Sequence, residues 1–287
     1  MPSIKAIKRR LVSVKNTQQI MKAMNLVAAS KLQKNRTKLD TVRPLFDESS
    51  GFFTHGVPRD EVEDSVYYQN RGVKNAAYVI ISGERGLCGS YNANILKEAF
   101  TFVTDKAENG INERIVSVGA KTKEYFARRR KNIVYEYPGV MENITYEVAQ
   151  DIALQLDNMF TSTNEAEKVE EIYVAYTKFG SLLSHNPTIT KLLPFSEEAN
   201  GDLMDVIYEP NVGTYLKKSV PVYLSMFIYG AMIESAVCEQ AARMTSMDAA
   251  ARNAGEILED LTLELNRRRQ GAITQEISEI VGGANAI

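Results

Sequence analysis

Hydrophobic side chains recur along the first part of the chain at alternating intervals of three and four residues. This spacing is typical of the contact seam of a coiled coil. Ten of its thirteen positions are apolar, and the thirteen are Ile4, Ile7, Leu11, Val14, Gln18, Met21, Asn25, Ala28, Leu32, Asn35, Leu39, Val42 and Phe46. Because no glycine interrupts residues 1–50, the pattern predicts one helix of about 40 residues or more, roughly 60 Å long, with a kink or an end near Pro44.

The last part of the chain carries a similar pattern. From about Tyr215 to Val281 the only interior proline is Pro221, and apolar residues recur at Ala250, Ala254, Ile257, Leu258, Leu261, Leu265, Ile273, Ile277 and Ile280. Helices of this length cannot bury an apolar stripe against a small globule, so they must pair with each other or with something external. If the two pair antiparallel, the middle of the chain is an inserted domain. The polar seam residues Gln18, Asn25 and Asn35 then either set the register of the pair or face a different partner.

The middle of the chain has a different periodicity. A short apolar run at residues 76–81 predicts a buried strand, and a glycine-rich turn and a helix over 92–100 follow it. The unit repeats, with strands near 114–118 and 172–176 and helices near 121–130 and 146–160. The fold class predicted is therefore an antiparallel coiled coil of the N- and C-terminal helices with an inserted small Rossmann-like parallel-sheet domain. Its boundaries are 1–57 for the first helix, 74–200 for the α/β domain and 212–287 for the last helix.

The glycine-rich turn lies where a dinucleotide-binding motif would lie. Its spacing is GxxGxxG (Gly83, Gly86, Gly89), which is neither GxGxxG nor a P-loop, because no Lys-Ser or Lys-Thr pair follows. We interpret it as a structural turn and expect no nucleotide or other cofactor.

Charge is distributed unequally between the two ends of the chain. Residues 1–40 hold ten Lys or Arg against one acid, whereas residues 230–287 hold nine acids against five arginines. A basic helix alone would suggest a nucleic-acid or membrane surface, but here an acidic partner is available in the same chain.

Metal and membrane functions have little support in the sequence. The two cysteines, Cys88 and Cys238, lie far apart without CxxC spacing, and the histidines are His55 and His185, so no metal site is expected. The longest apolar run, residues 76–81, is far shorter than the roughly 20 residues of a membrane span, and the N-terminus lacks the apolar region of a signal peptide. No direct membrane insertion is therefore expected.

Four blocks of sequence carry a resemblance to a known family. They are Ser13 to Ile20 with Met21 to Met24 and Val27 to Leu32, then Arg85 to Gly89 with Tyr91-Asn92, then Glu239 to Met244, and finally Ile273 to Ala284 with Arg269-Gln270 upstream. In this order they resemble the gamma subunits of F-type ATP synthases over nearly the whole chain. Met21 stands where many members carry Thr, and Glu84 where Asp is common. The redox insertion of chloroplast relatives is missing, which favours a bacterial member.

The resemblance implies a non-catalytic rotor shaft that couples proton or sodium transport to ATP synthesis or hydrolysis and regulates ATPase activity. The implied partners are three alpha and three beta subunits per chain, the epsilon subunit and the membrane c-ring, with no nucleic acid. The implied location is the cytoplasmic face of the cell membrane, as a peripheral part of the complex.

Eight residues match family positions at or near contacts with the beta subunits. They are Met24, Cys88, Arg243, Arg269, Gln270, Thr274, Glu276 and Glu279. The resemblance implies no catalytic, cofactor-binding or metal-binding residue.

Two other classes of protein compete with this interpretation. The first is an enzyme built on the middle sheet, which would bind a nucleotide or turn over a substrate alone. The second is a coiled-coil module for nucleic acid, whose binding would weaken steeply with salt. The second gives no reason for an acidic partner helix with an apolar end.

Overall fold

The structure is a computed structural model, and it describes residues 3–55, 65–195, 208–209 and 211–284. The chain divides into two compact units, one formed by residues 1–29 with 243–287 and the other by residues 30–242. The elements in chain order are α1 (Ile4–His55), β1 (Asn75–Ile81), α2 (Tyr91–Glu108), β2 (Asn112–Val118), α3 (Ala120–Ala127), β3 (Ile133–Tyr137), α4 (Tyr146–Thr161), β4 (Glu171–Phe179), β5 (His185–Leu193) and α5 (Val212–Ala284). A short 3-10 turn at Val140–Glu142 lies between β3 and α4.

The predicted seam of α1 is confirmed. Every seam position from Ile4 to Val42 is buried or half-buried, and most residues between them are exposed. The side chain of Phe46, the last seam position, lies outside the described residues. The prediction of a helix end near Pro44 is wrong, because α1 continues to His55. Phe53 explains the continuation: its ring stacks on Phe195 at 5.1 Å and contacts Tyr223 at 4.9 Å, so packing holds the turns after the proline.

Helix α5 has 73 residues and differs in character along its length. Every residue from Gly230 to Ala242 is buried, so here the helix is enclosed on all sides by the second unit. One 18-residue window of α5, with a mean hydropathy of 1.4, is apolar enough to cross a membrane, but 78% of that window is buried inside the protein. Burial of this kind is the property of a core helix.

In the first unit the contact face of α5 follows a heptad spacing. Met247, Ala251, Ala254 and Leu261 are buried, and Leu258 is half-buried. The sequence pattern also pointed to Ile257, Ile273, Ile277 and Ile280, but these four are exposed. Ile257 lies off this stripe. Gln18 bonds Ala251, so Ile4, the first residue of α1, lies level with about residue 265 of α5, and Ile273, Ile277 and Ile280 have no residue of α1 opposite them.

The sheet has five strands in the order β3-β2-β1-β4-β5. β1 pairs in parallel with β2 and β4, and β2 pairs in parallel with β3. β5 pairs antiparallel with β4. The predicted fold class is confirmed, with two corrections: the sheet is mixed, because β5 is antiparallel, and its two edge strands β3 and β5 were not predicted.

The sheet is covered on both faces. Successive side chains of a strand point to opposite faces, and all seven residues of β1 are buried. Tyr78 and Ile80 pack with Ile95 and Ala99 of α2. This burial on both faces is why β1 reads as a continuous apolar run.

A buried acid lies at the start of β4. Glu171 is 7% exposed. Its carboxylate accepts hydrogen bonds from Lys191 Nζ at 2.8 Å, from Lys106 Nζ at 3.2 Å and from the Tyr173 hydroxyl at 2.8 Å. Burial raises the pKa of Glu171, but the hydrogen bonds from Lys191 and Tyr173 outweigh it and leave the pKa below its ordinary value.

Candidate functional site

Two polar side chains of α1 fix the register of the helix pair in the first unit. Gln18 Nε2 donates to the Ala251 carbonyl at 3.1 Å, and Asn25 Nδ2 donates to the Met244 carbonyl at 2.9 Å. The donors are one heptad apart on α1 and the acceptors one heptad apart on α5, running in opposite directions. Both bonds therefore belong to one antiparallel register, which supports the register-setting interpretation of these two residues.

Two of the predicted contact residues lie at the same level of this pair. Met24 precedes Asn25 and Arg243 precedes Met244, and the hydrogen bond between Asn25 and Met244 joins the two helices there. Both Met24 and Arg243 are half-buried. The structure thus places two residues that are far apart in sequence at the same level of the helix pair.

Five further predicted contact residues lie on the last turns of α5. Arg269, Gln270, Thr274, Glu276 and Glu279 are all exposed. The Thr274 hydroxyl donates to the Gln270 carbonyl at 2.9 Å, which is a local helix contact. We call residues 269–282 the distal segment; every residue in it except the half-buried Ala272 is exposed.

Large apolar side chains are also exposed on the helix pair. On α1 and α5 of the first unit, the side chains exposed by more than half include Val12, Ile20, Leu26, Val27, Leu263, Ile277, Ile280 and Val281. Exposed apolar surface of this extent is typical of a contact with another protein. The apolar end of α5 could be predicted from the sequence, whereas the apolar positions on the outer face of α1 were not predicted.

The eighth predicted contact residue, Cys88, lies in the second unit and is buried. It packs with Tyr91, Cys238 and Ala242, and Asn92 Nδ2 lies 3.1 Å from its sulfur. Neither cysteine is in a disulfide. Burial raises the pKa of the Cys238 thiol, as is typical of a buried structural cysteine.

The turn around Cys88 nevertheless has an exposed side. Leu87 is 63% exposed and has φ +60, and the Arg85 side chain is 77% exposed. The surface that this turn offers to a partner is therefore Arg85 to Leu87, while the thiol of Cys88 faces inward.

The place where a ligand would bind in an open α/β sheet is filled by α5. Such ligands bind at the carboxyl ends of the strands, beside the point where the strand order reverses, which here lies between β1 and β4. β4 extends beyond its pairing with β1, and there Thr177 N donates to Ser235 Oγ at 3.3 Å and Phe179 N donates to Glu234 Oε1 at 3.0 Å. A side chain at Gly83, just after β1, would lie 2.8 Å from Glu239 Oε1.

Glu234 also joins α1 to this edge of the sheet. Its carboxylate is 2.7 Å from Arg43 Nη2, and its side chain is 4% exposed while that of Arg43 is 39% exposed. This pair was not predicted from the sequence, although a glutamate within an otherwise apolar stretch of α5 is a signal that could have pointed to it. Among the described residues no group of three His, Cys, Asp or Glu could hold a metal ion.

The chain combines two long helices with a mostly parallel sheet, and one of its own helices fills the ligand crevice of that sheet. These features define a subunit whose exposed surfaces suit contact with other proteins. A family model described as ATP synthase matches residues 3–287. The ATP synthase gamma chain of Desulforamulus reducens is 39% identical over the full length of both chains. The sodium-ion-specific ATP synthase gamma chain of Acetobacterium woodii is 37% identical, with 99% of each chain covered. The chain therefore belongs to the family of ATP synthase gamma chains, of the bacterial type.

Solved structures agree on the fold. A chain from the mitochondrial ATP synthase of Euglena gracilis, in a structure that contains F1 and the c-ring, matches with a TM-score of 0.69 at 16% identity, covering 99% of this chain and 94% of the other. A chain from the central stalk and c-ring of the Tetrahymena thermophila enzyme matches with a TM-score of 0.60 at 22% identity, covering 80% and 99%. At this identity the likeness concerns the fold.

Proposed function

We propose that this chain is the central-stalk shaft of an F-type ATP synthase, which transmits rotation between the ion-driven membrane rotor and the catalytic hexamer of alpha and beta subunits. The observation that carries the proposal is the antiparallel helix pair, fixed in one register and exposing apolar side chains, in a chain of the gamma family.

The mechanism follows from symmetry. A single asymmetric helix pair inside a ring of three alpha and three beta subunits presents a different face to each beta subunit, so the three catalytic sites are not equivalent. Each face stabilises one conformation of the beta subunit, and rotation by a third of a turn exchanges the three. This differential affinity couples rotation to nucleotide binding and release.

The predicted contact residues lie in three parts of the chain, and each part has its own role in this mechanism. Met24 and Arg243 act where the two helices are hydrogen-bonded through Asn25 and Met244. The five predicted contact residues that lie within the distal segment face the beta subunits at the exposed end of α5. The turn containing Cys88 contacts the beta subunits through its exposed residues, with Cys88 holding it from inside.

The remaining partners are the epsilon subunit and the c-ring, and the chain is peripheral at the cytoplasmic face of the cell membrane. It has no catalytic site of its own and acts on ATP only through the beta subunits, whose ATPase activity it regulates. The coupling ion, proton or sodium, is determined by the membrane rotor and not by this chain.

The first test is ATP hydrolysis by co-expressed alpha and beta subunits purified with and without this chain. We expect one copy of the chain per three alpha-beta pairs and a requirement for it in sustained turnover. If the chain neither co-purifies nor changes the rate, the proposal is wrong.

A second test addresses Arg243. Arg243→Glu should impair ATP-driven ion transport while leaving assembly intact, because a reversed charge disturbs charge-assisted contacts with an acidic partner. Arg252→Glu is the control, since Arg252 is 70% exposed and pairs with Asp248 of the same helix at 2.7 Å. Transport at the parental rate by Arg243→Glu would refute the role assigned to Arg243.

A further inference from the structure

The β1–α2 turn is tied to two distant segments by one carboxylate. Glu84 Oε2 accepts a hydrogen bond from Ala120 N at 2.8 Å, and Oε1 accepts one from Met141 N at 3.1 Å. Ala120 is the first residue of α3, and Met141 lies in the 3-10 turn Val140–Glu142. A single side chain thus joins the ends of three successive parallel strands.

The start of α3 needs such a partner. The first N–H groups of a helix lack acceptors, and a nearby negative charge is favourable there. The capping position is Gly119, which offers no side-chain hydrogen bond. No larger residue fits, because φ is +93 and a Cβ would lie 2.3 Å from the Ser82 carbonyl oxygen. Glu84 therefore supplies, from 36 residues away in sequence, the acceptor that Gly119 cannot carry.

The neighbours of Glu84 are also anchored, one to α2 and the other to the 3-10 turn. Gly83 N donates to Asn92 Oδ1 at 2.9 Å, and Arg85 Nη2 lies 2.7 Å from Glu142 Oε1. The Arg85 pair is exposed and contributes little to order on its own. The bonds of Glu84 to two backbone N–H groups are charge-assisted and are the firmer link.

We propose that Glu84 is the positioning residue of the turn Arg85 to Leu87: it occupies from within the chain the anion position at the start of α3 and thereby holds this turn in the conformation that a partner contacts. The proposal rests on the proposed function for the identity of the partner, the catalytic subunits. The anchoring by Glu84 is a property of this chain alone and can be measured without them.

The first experiment uses the purified full chain. In Glu84→Ala, hydrogen exchange of the amides of Ala120 and Met141 should accelerate by about tenfold or more, because each loses a bond to a charged acceptor. Glu84→Gln keeps the side-chain volume but places an NH2 group against one of the two donors. It should therefore accelerate the hydrogen exchange of at least one of the two amides. Glu84→Asp, which keeps the carboxylate, should restore protection at least in part. Glu98→Ala, which removes an exposed acid of α2, should change neither amide.

Chemical rescue separates positioning from general loss of packing. Acetate titrated into folded Glu84→Ala should restore protection of both amides, because the small carboxylate can enter the vacated position, whereas chloride at equal ionic strength should not. Unchanged exchange in Glu84→Ala and Glu84→Gln, or no effect of acetate on folded Glu84→Ala, would overturn the proposal. If Glu84→Ala does not fold, the exchange data of Glu84→Gln decide.

The second experiment measures ATP turnover with the alpha and beta subunits. Glu84→Gln should lower the ATP turnover that the chain supports by about fivefold, the order expected when the anchored conformation of the turn is weakened relative to its unanchored conformations. Acetate should restore the turnover supported by Glu84→Ala. If the parent chain itself supports no turnover, the proposed function fails and the exchange result stands alone. If the parent supports turnover and Glu84→Gln matches it despite faster exchange, the positioning role is wrong.

Discussion

Removal of the Glu234 carboxylate should strongly destabilise the second unit. Glu234 accepts hydrogen bonds from Arg43 Nη2 at 2.7 Å and from Phe179 N at 3.0 Å. Its side chain is 4% exposed, so little water can replace these partners in Glu234→Ala.

The magnitude follows from the two contacts. The orphaned Phe179 N–H costs about 1–3 kcal/mol. An ion pair with charges about 4 Å apart is worth about 4 kcal/mol at an effective dielectric of about 20, before desolvation. Because the Arg43 side chain is 39% exposed, water compensates much of this, and about 1–2 kcal/mol remains. Glu234→Ala should therefore lose about 3 kcal/mol of unfolding free energy, and Glu234→Gln, which keeps one acceptor, about 1–2 kcal/mol.

The assay is urea unfolding of the full chain, followed by circular dichroism and by tyrosine fluorescence, since the chain has 14 tyrosines and no tryptophan. Glu259→Ala, an exposed acid of the same helix, is the control. A double-mutant cycle of Glu234→Gln with Arg43→Met isolates the pair. If the unfolding free energy of Glu234→Ala is within about 0.5 kcal/mol of that of the control, the contacts of Glu234 with Arg43 and Phe179 do not have the energy assigned to them.

Three further predictions concern other elements. Gly119→Ala should cost about 3 kcal/mol or more by urea unfolding, because its φ is +93 and its Cβ would clash with backbone at 2.3 Å; Gly139→Ala, with φ +83 in open space, should cost only about 1 kcal/mol, and equal losses would contradict the clash. Gln18→Ala with Asn25→Ala should lower the unfolding free energy by about 1–2 kcal/mol, and no loss would mean that the two bonds do not stabilise the register. Glu171→Gln should cost about 1–2 kcal/mol at pH 7. Because the pKa of Glu171 is lower in the folded chain than in the unfolded one, its stabilisation is complete above the unfolded value of about 4.3 and is lost as pH falls through the folded value. The stability of Glu171→Gln should then depend less on pH in this acid range, and parallel profiles would refute the assignment.

The two long helices and the strands β1, β2 and β4 could be predicted because their signals are local. The three-four alternation of α1 needs only the residues of α1, and the seam from Ile4 to Val42 is buried as expected. The continuous apolar run of β1 likewise reflects burial on both faces. The eight contact residues came from the resemblance, and their role in binding beta subunits stays a prediction.

The edge strands were missed because half-exposed strands carry mixed sequences. β3 has only five residues, none of them fully buried, and β5 contains Pro187, which a strand tolerates at the edge of a sheet. Their pairing depends on β2 and β4, which lie elsewhere in the chain.

What the sequence by itself determined is therefore the periodic part of this protein: two helices with complementary stripes and the buried strands between them. Only the tertiary structure decided that Glu84 caps α3, that Glu234 joins Arg43 to β4, and that Cys88 faces inward. These contacts link residues 36 and 191 positions apart, and no local pattern of polarity encodes such pairs. They form because buried donors must find acceptors wherever the fold brings one within reach.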